Sequence, residues 1–125
     1  MTYQLTTHKN GIGGQINAYT SMEQTVYYAK VLKEHLPTAF AILADILRNS
    51  VFDAKELARE QEVIVQEIGM HHDSPEDLVF DYLHDAVFGD QPLGRTILGT
   101  PDSVRRFTAQ DLRSFMDKHY HTPNM

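Results

Sequence analysis

The sequence predicts an α+β fold in which one antiparallel β-hairpin is followed by four helical segments. Three observations carry this reading. β-branched and aromatic residues fill two short runs behind a glycine turn, apolar residues then recur at three- and four-residue steps, and helix-starting signals precede those later stretches.

Asn10-Gly11-Ile12-Gly13-Gly14 is the turn signal, and Gln15-Ile16-Asn17-Ala18-Tyr19-Thr20-Ser21 reads as a strand with Ile16, Ala18 and Thr20 on one face. Thr25 to Leu32 forms the second strand across Met22-Glu23-Gln24, and the Tyr27-Tyr28 pair is strand packing. Pro37 fits a first helical turn, with Phe40, Leu43, Ile46 and Leu47 as the apolar stripe of a helix ending at Asn49-Ser50. Asp53-Ala54-Lys55-Glu56 has the form of a capping box opening a helix toward His71. Ser74 caps the next, with Pro75 in its first turn and Leu78, Val79, Tyr82, Leu83 and Val87 as apolar positions. Gly89 to Gly99 is a loop. Thr100-Pro101 and Thr108-Ala109-Gln110-Asp111 are further cap signals, the second opening a helix with Leu112, Phe115, Met116 and His119 along one side. A two-stranded sheet is marginal alone, so the inventory reads as part of a larger sheet domain.

Composition narrows the chemistry. The 125 residues suffice for one domain, and 11 Lys+Arg against 17 Asp+Glu give a net charge of −6. That balance argues against nucleic acid and favours basic polypeptides as partners. The absence of cysteine excludes disulfides, thiolate zinc sites and cysteine nucleophiles, so any metal must be held by His or carboxylate. No apolar run approaches the roughly 18 residues of a membrane span, and the N-terminus shows no basic-then-apolar leader. The expected compartment is a bacterial cytoplasm or an organellar matrix.

The helix from Asp53 is the most informative segment. Glu60, Ile64, Glu67 and His71 fall on one stripe, so two acids lie among apolar neighbours, with Val63, Ile64 and Ile68 bracketing Glu67. If that stripe faces the core, the Glu67 carboxylate is buried and needs an Arg, a Lys or a metal. Alternatively the two acids pair with Arg59, Arg48 or solvent on an exposed face. Among seven histidines no H-x-x-E-H, H-E-x-x-H or H-x-x-x-H spacing occurs. Adjacent His71 and His72 point too far apart to share an ion, whereas Glu67 and His71 at i, i+4 could. Arg95, bracketed by Gly94 and Gly99, reads either as an exposed turn residue or as a cation for substrate or a buried acid. The serines lack a nucleophile-elbow context.

These motifs together resemble the pitrilysin/insulinase family of zinc metallopeptidases. The likeness rests on Gly13-Gly14-Gln15-Ile16-Asn17-Ala18-Tyr19-Thr20-Ser21, Glu23 through Ala29, Leu43-Ala44-Asp45, Arg59-Glu60 with Val63-Ile64 and Glu67-Ile68, Asp81-Tyr82-Leu83-His84, Pro92 through Gly99, and Asn124-Met125. Within the family it is similar to the branch of the mitochondrial processing peptidase β subunits and their bacterial homologues. The likeness covers residues 13–125, leaving 1–12 as an unmatched segment.

The resemblance implies a partial metallopeptidase half-domain. It matches Glu67 to the family's distal glutamate, the third zinc ligand, and Glu60 to the acid that supports the site from behind. It matches Asn17 and Ala18 to the edge strand against which an extended peptide or protein substrate lies. In such enzymes two His of H-x-x-E-H complete the zinc site and its Glu serves as general base. That motif belongs upstream of the glycine-led strand, by more residues than this chain possesses. The expectation is therefore an internal fragment that needs the rest of its peptidase domain, is inactive alone, and is exposed to self-association through an unpaired strand edge. Two other classes stand beside it: a non-catalytic scaffold or core-subunit member of the same family, and an unrelated α+β interaction domain.

Overall fold

The computed structural model describes residues 13–125. The predicted turn residues 10–12, and the segment 1–12 set apart by the resemblance, lie outside the described residues. The chain divides into two compact units, Met1–Val51 and Phe52–Met125.

In the first unit, strands β1 (Gln15–Thr20) and β2 (Thr25–Lys30) pair antiparallel, with Thr20 opposite Thr25 and Gln15 opposite Lys30. The Ser21 N–H donates to the Gln24 carbonyl at 2.8 Å, closing the hairpin around Met22 and Glu23. Strand alternation buries Ala18 on one face. On the other, Tyr19 and the diagonal Tyr28 meet edge to face at 6.5 Å. Helix α1 (Leu36–Arg48) carries Pro37 in its first turn and packs against β2. It closes with the Ser50 hydroxyl donating to the Ile46 carbonyl and the Asn49 amide to the Asp45 carboxylate. Leu43, Ile46 and Leu47 are half-buried as the stripe predicts, but Phe40 is 72% exposed.

The second unit holds α2 (Ala54–His72), α3 (Pro75–Phe88), a 3-10 turn at Pro92–Gly94, α4 (Pro101–Arg106) and α5 (Ala109–His119). With α1 this makes five α-helices among the described residues, one more than the four predicted. The additional one is α4. Thr100 and Ser103 form a reciprocal capping box and Pro101 sits in the first turn, enough to start a helix too short to display an apolar period. Thr108 and Asp111 cap α5 in the same reciprocal way. Ser74 departs from prediction: its side chain makes no cap bond, and its carbonyl receives the Asp77 and Leu78 N–H groups instead.

The predicted apolar stripe of α3 is also corrected. Val79, Tyr82, Leu83 and Val87 are more than half exposed, while Leu78, Asp81, His84 and Phe88 form the less accessible side. Period alone marks an apolar side but does not say which neighbour will cover it.

Helix α2 organises this unit, with Ile68 at 3% exposure and Val104 of α4 at 5%. The Gln61 side-chain amide donates to the carbonyls of Val104 and Phe107, both at 2.9 Å, satisfying acceptors that a helix C-terminus leaves open. Beside it the Arg105 guanidinium grips the Glu62 carboxylate through two nitrogens, at 3.0 and 3.3 Å. This bonding and the guanidinium charge hold Glu62 below its ordinary value and Arg105 above its own. After α3 the chain turns on Gly89 at φ +54°, and a Cβ on Gly94 would collide with the Gly89 carbonyl oxygen.

Two outcomes follow for thermal unfolding. Gly94→Ala should destabilise by about 2 kcal/mol through that collision, whereas Gly69→Ala, on the exposed side of α2 with open space around its Cβ, should stabilise by about 0.5–1 kcal/mol. For pH the sign follows from the lowered Glu62 value. The pair contributes above the ordinary Glu value of 4.5 and is lost as pH falls through the lowered one. Wild type should therefore melt above Glu62→Gln at neutral pH, with the difference closing in acid below that ordinary value.

Candidate functional site

Helix α2 is fixed at its start by Asp53, whose carboxylate accepts the Lys55 and Glu56 N–H groups at 3.0 and 3.1 Å. Glu56 leaves the predicted box half made and lies 3.7 Å from Arg59 instead. Two turns on, Glu60, Ile64, Glu67 and His71 are all half-buried, so the stripe predicted from spacing lies at the packed side of α2. Of the apolar residues that bracket Glu67 in sequence, Ile68 is 3% exposed and Val63 40%.

Among the described residues, no hydrogen bond or ion pair reaches the Glu60 or Glu67 carboxylate. The predicted pairing with Arg59 is not made, because Arg59 faces Glu56. The His71 Nε2 lies 2.7 Å from Asp81 Oδ2 on α3, both side chains 25% exposed. His72 is exposed, its ring edge-on to His71 at 6.4 Å. The His71–Asp81 contact was open to sequence reasoning, since a His in the last turn of one helix and an Asp in the second turn of the next face each other across a two-residue link.

A half-buried carboxylate without counter-charge suits a share in a divalent-cation site, but zinc takes four ligands. No group of three or more His, Asp or Glu able to hold a metal occurs among the described residues. The donor set therefore fits one contributor to a zinc site and not the whole of it.

The hairpin supplies the other feature. The Ser21–Gln24 bond sets the phase of the ladder, so odd-numbered residues of β1 bond to β2 while the peptide groups of Ile16, Ala18 and Thr20 point away from it. On that outward side the Asn17 Oδ1 accepts the Ala18 N–H at 2.8 Å. Elsewhere Arg95 is exposed and makes no side-chain hydrogen bond or ion pair among the described residues, in keeping with a turn residue. His119 lies against Phe115 at 4.6 Å. His84, which spacing did not single out as chemistry, stacks on Phe88 and keeps a buried Nδ1 without a partner among the described residues. No helix among them is long and apolar enough to cross a membrane.

The family model described as insulinase (peptidase family M16) matches residues 2–101, beginning ahead of the glycine-led strand. An uncharacterized zinc protease of Rickettsia felis is 45% identical over 122 residues, covering 98% of this chain and 30% of that protein. The mitochondrial-processing peptidase subunit beta of Saccharomyces cerevisiae is 47% identical over 109 residues, 87% of this chain and 24% of that one. The crystal structure of an M16-like peptidase from Alicyclobacillus acidocaldarius superposes with a TM-score of 0.78 at 28% identity, over 88% of this chain and 26% of that one. The chain thus spans under a third of the length of these relatives. Such agreement removes the unrelated interaction domain from consideration: the chain belongs to the insulinase family of peptidases, family M16.

Proposed function

We propose that this chain is the distal-glutamate portion of a zinc metalloendopeptidase acting on extended polypeptides. Glu67 is its zinc ligand, Glu60 supports the site, and the outward edge of β1 at Asn17 and Ala18 receives the substrate strand. The observation that carries this reading is Glu67 itself, half-buried on the packed side of a capped helix with no counter-charge among the described residues. A lone salt-bridging surface acid has no need of that position. The names of the relatives, zinc protease and processing-peptidase subunit, supply the metal and the reaction class.

Zinc in such a site polarises a carbonyl and lowers the pKa of bound water. The residues of this chain hold a carboxylate toward the metal and present main-chain groups to a peptide. They include neither an H-x-x-E-H pair of imidazoles nor its base. The partner is accordingly the remainder of a peptidase domain, and the chain by itself does not hydrolyse peptides. The relatives' sources are consistent with a bacterial cytoplasm or an organellar matrix.

Calorimetric zinc titration tests the ligand assignment. The 125-residue chain alone should bind more weakly than micromolar. When an H-x-x-E-H segment from a relative is supplied, binding should tighten, Glu60→Gln should cost about ten- to a hundred-fold, and Glu67→Gln more. Micromolar binding by the chain alone, or indifference to Glu67→Gln, overturns the assignment. In a peptide-cleavage assay the purified chain should show no chelator-sensitive activity.

A further inference from the structure

The exposed edge of β1 carries an internal ligand. The phase of the hairpin directs the Ala18 N–H away from β2, and the first acceptor it meets is the side chain of the residue before it, at 2.8 Å. We propose that Asn17 Oδ1 stands in for the carbonyl of an added strand, so that an extended peptide docks on β1 only by displacing it. Asn17 is then a specificity-determining gate rather than only a docking residue. This rests on the edge-strand reading above and adds an energetic threshold to it.

Chemistry and geometry agree on the role. An amide oxygen is the same acceptor type as a peptide carbonyl, so the N–H is satisfied in both states and only the occupant changes. The bond also lies where an unprotected edge would pair with a second copy, because a bare outward N–H on a strand is a template for one. A peptide that places a carbonyl opposite Ala18 replaces the lost bond. One out of register does not, and meets an edge that is already closed.

Amide hydrogen exchange by NMR on the 125-residue chain tests the cap without any peptide. Exchange at Ala18 should be slow in wild type and in Asn17→Asp, which keeps an acceptor, and about five-fold or more faster in Asn17→Ala, the worth of one net hydrogen bond. A blocked heptapeptide alternating lysine and valine is then titrated. It should shift the amides of Ile16, Ala18 and Thr20, and bind Asn17→Ala about five-fold more tightly than wild type, with Asn17→Asp no tighter than wild type. Equal Ala18 exchange in all three proteins overturns the cap. Edge shifts with equal affinity for wild type and Asn17→Ala overturn the gate while leaving strand addition standing. No edge shifts in any variant overturn strand addition and the gate with it.

Discussion

A carboxylate drawn partly out of water is favoured by a balancing charge close by, and on α2 two half-buried ones have no ion pair among the described residues. The neighbours are elsewhere engaged. Arg59 leans to Glu56, Arg105 grips Glu62, and His71 bonds to Asp81. Charge on this helix is thus sorted by side: Glu56 and Glu62, on exposed positions, are paired, while Glu60 and Glu67, at the packed side, are not. That sorting is what the proposed ligand role of Glu67 rests on.

The hairpin shows a related economy in neutral groups. Its inner ladder is satisfied by β2, and its outward N–H at Ala18 is satisfied by a side chain that can leave. For the strand addition proposed here, a removable acceptor leaves the edge available yet not sticky.

Much of this was legible in the residues. The hairpin followed from alternation behind Gly13-Gly14, and α2 from Asp53 and the Glu60-Ile64-Glu67-His71 stripe, because both signals are local and periodic. On sequence alone Glu67 was to be buried if its stripe faced the core; the structure leaves it half-buried, with Val63 beside it 40% exposed. Helix α4 escaped because six residues hold less than two turns, leaving only its cap to announce it. The apolar side of α3 was found but its exposure was not, since burial depends on what lies opposite and no period encodes that. The Asn17 cap escaped for another reason: whether an N–H points toward or away from a partner strand depends on ladder phase, which the hairpin connection sets.

Gln61 has a quieter consequence. Its two acceptors, 43 and 46 residues further along the chain, are main-chain oxygens, so the bond asks nothing of the side chains at 104 and 107. That bond can persist through changes at those two side chains while still helping to index α2 against α4. The pose of α2, which carries the proposed ligand Glu67, thus rests partly on backbone, the part of a protein that mutation alters least.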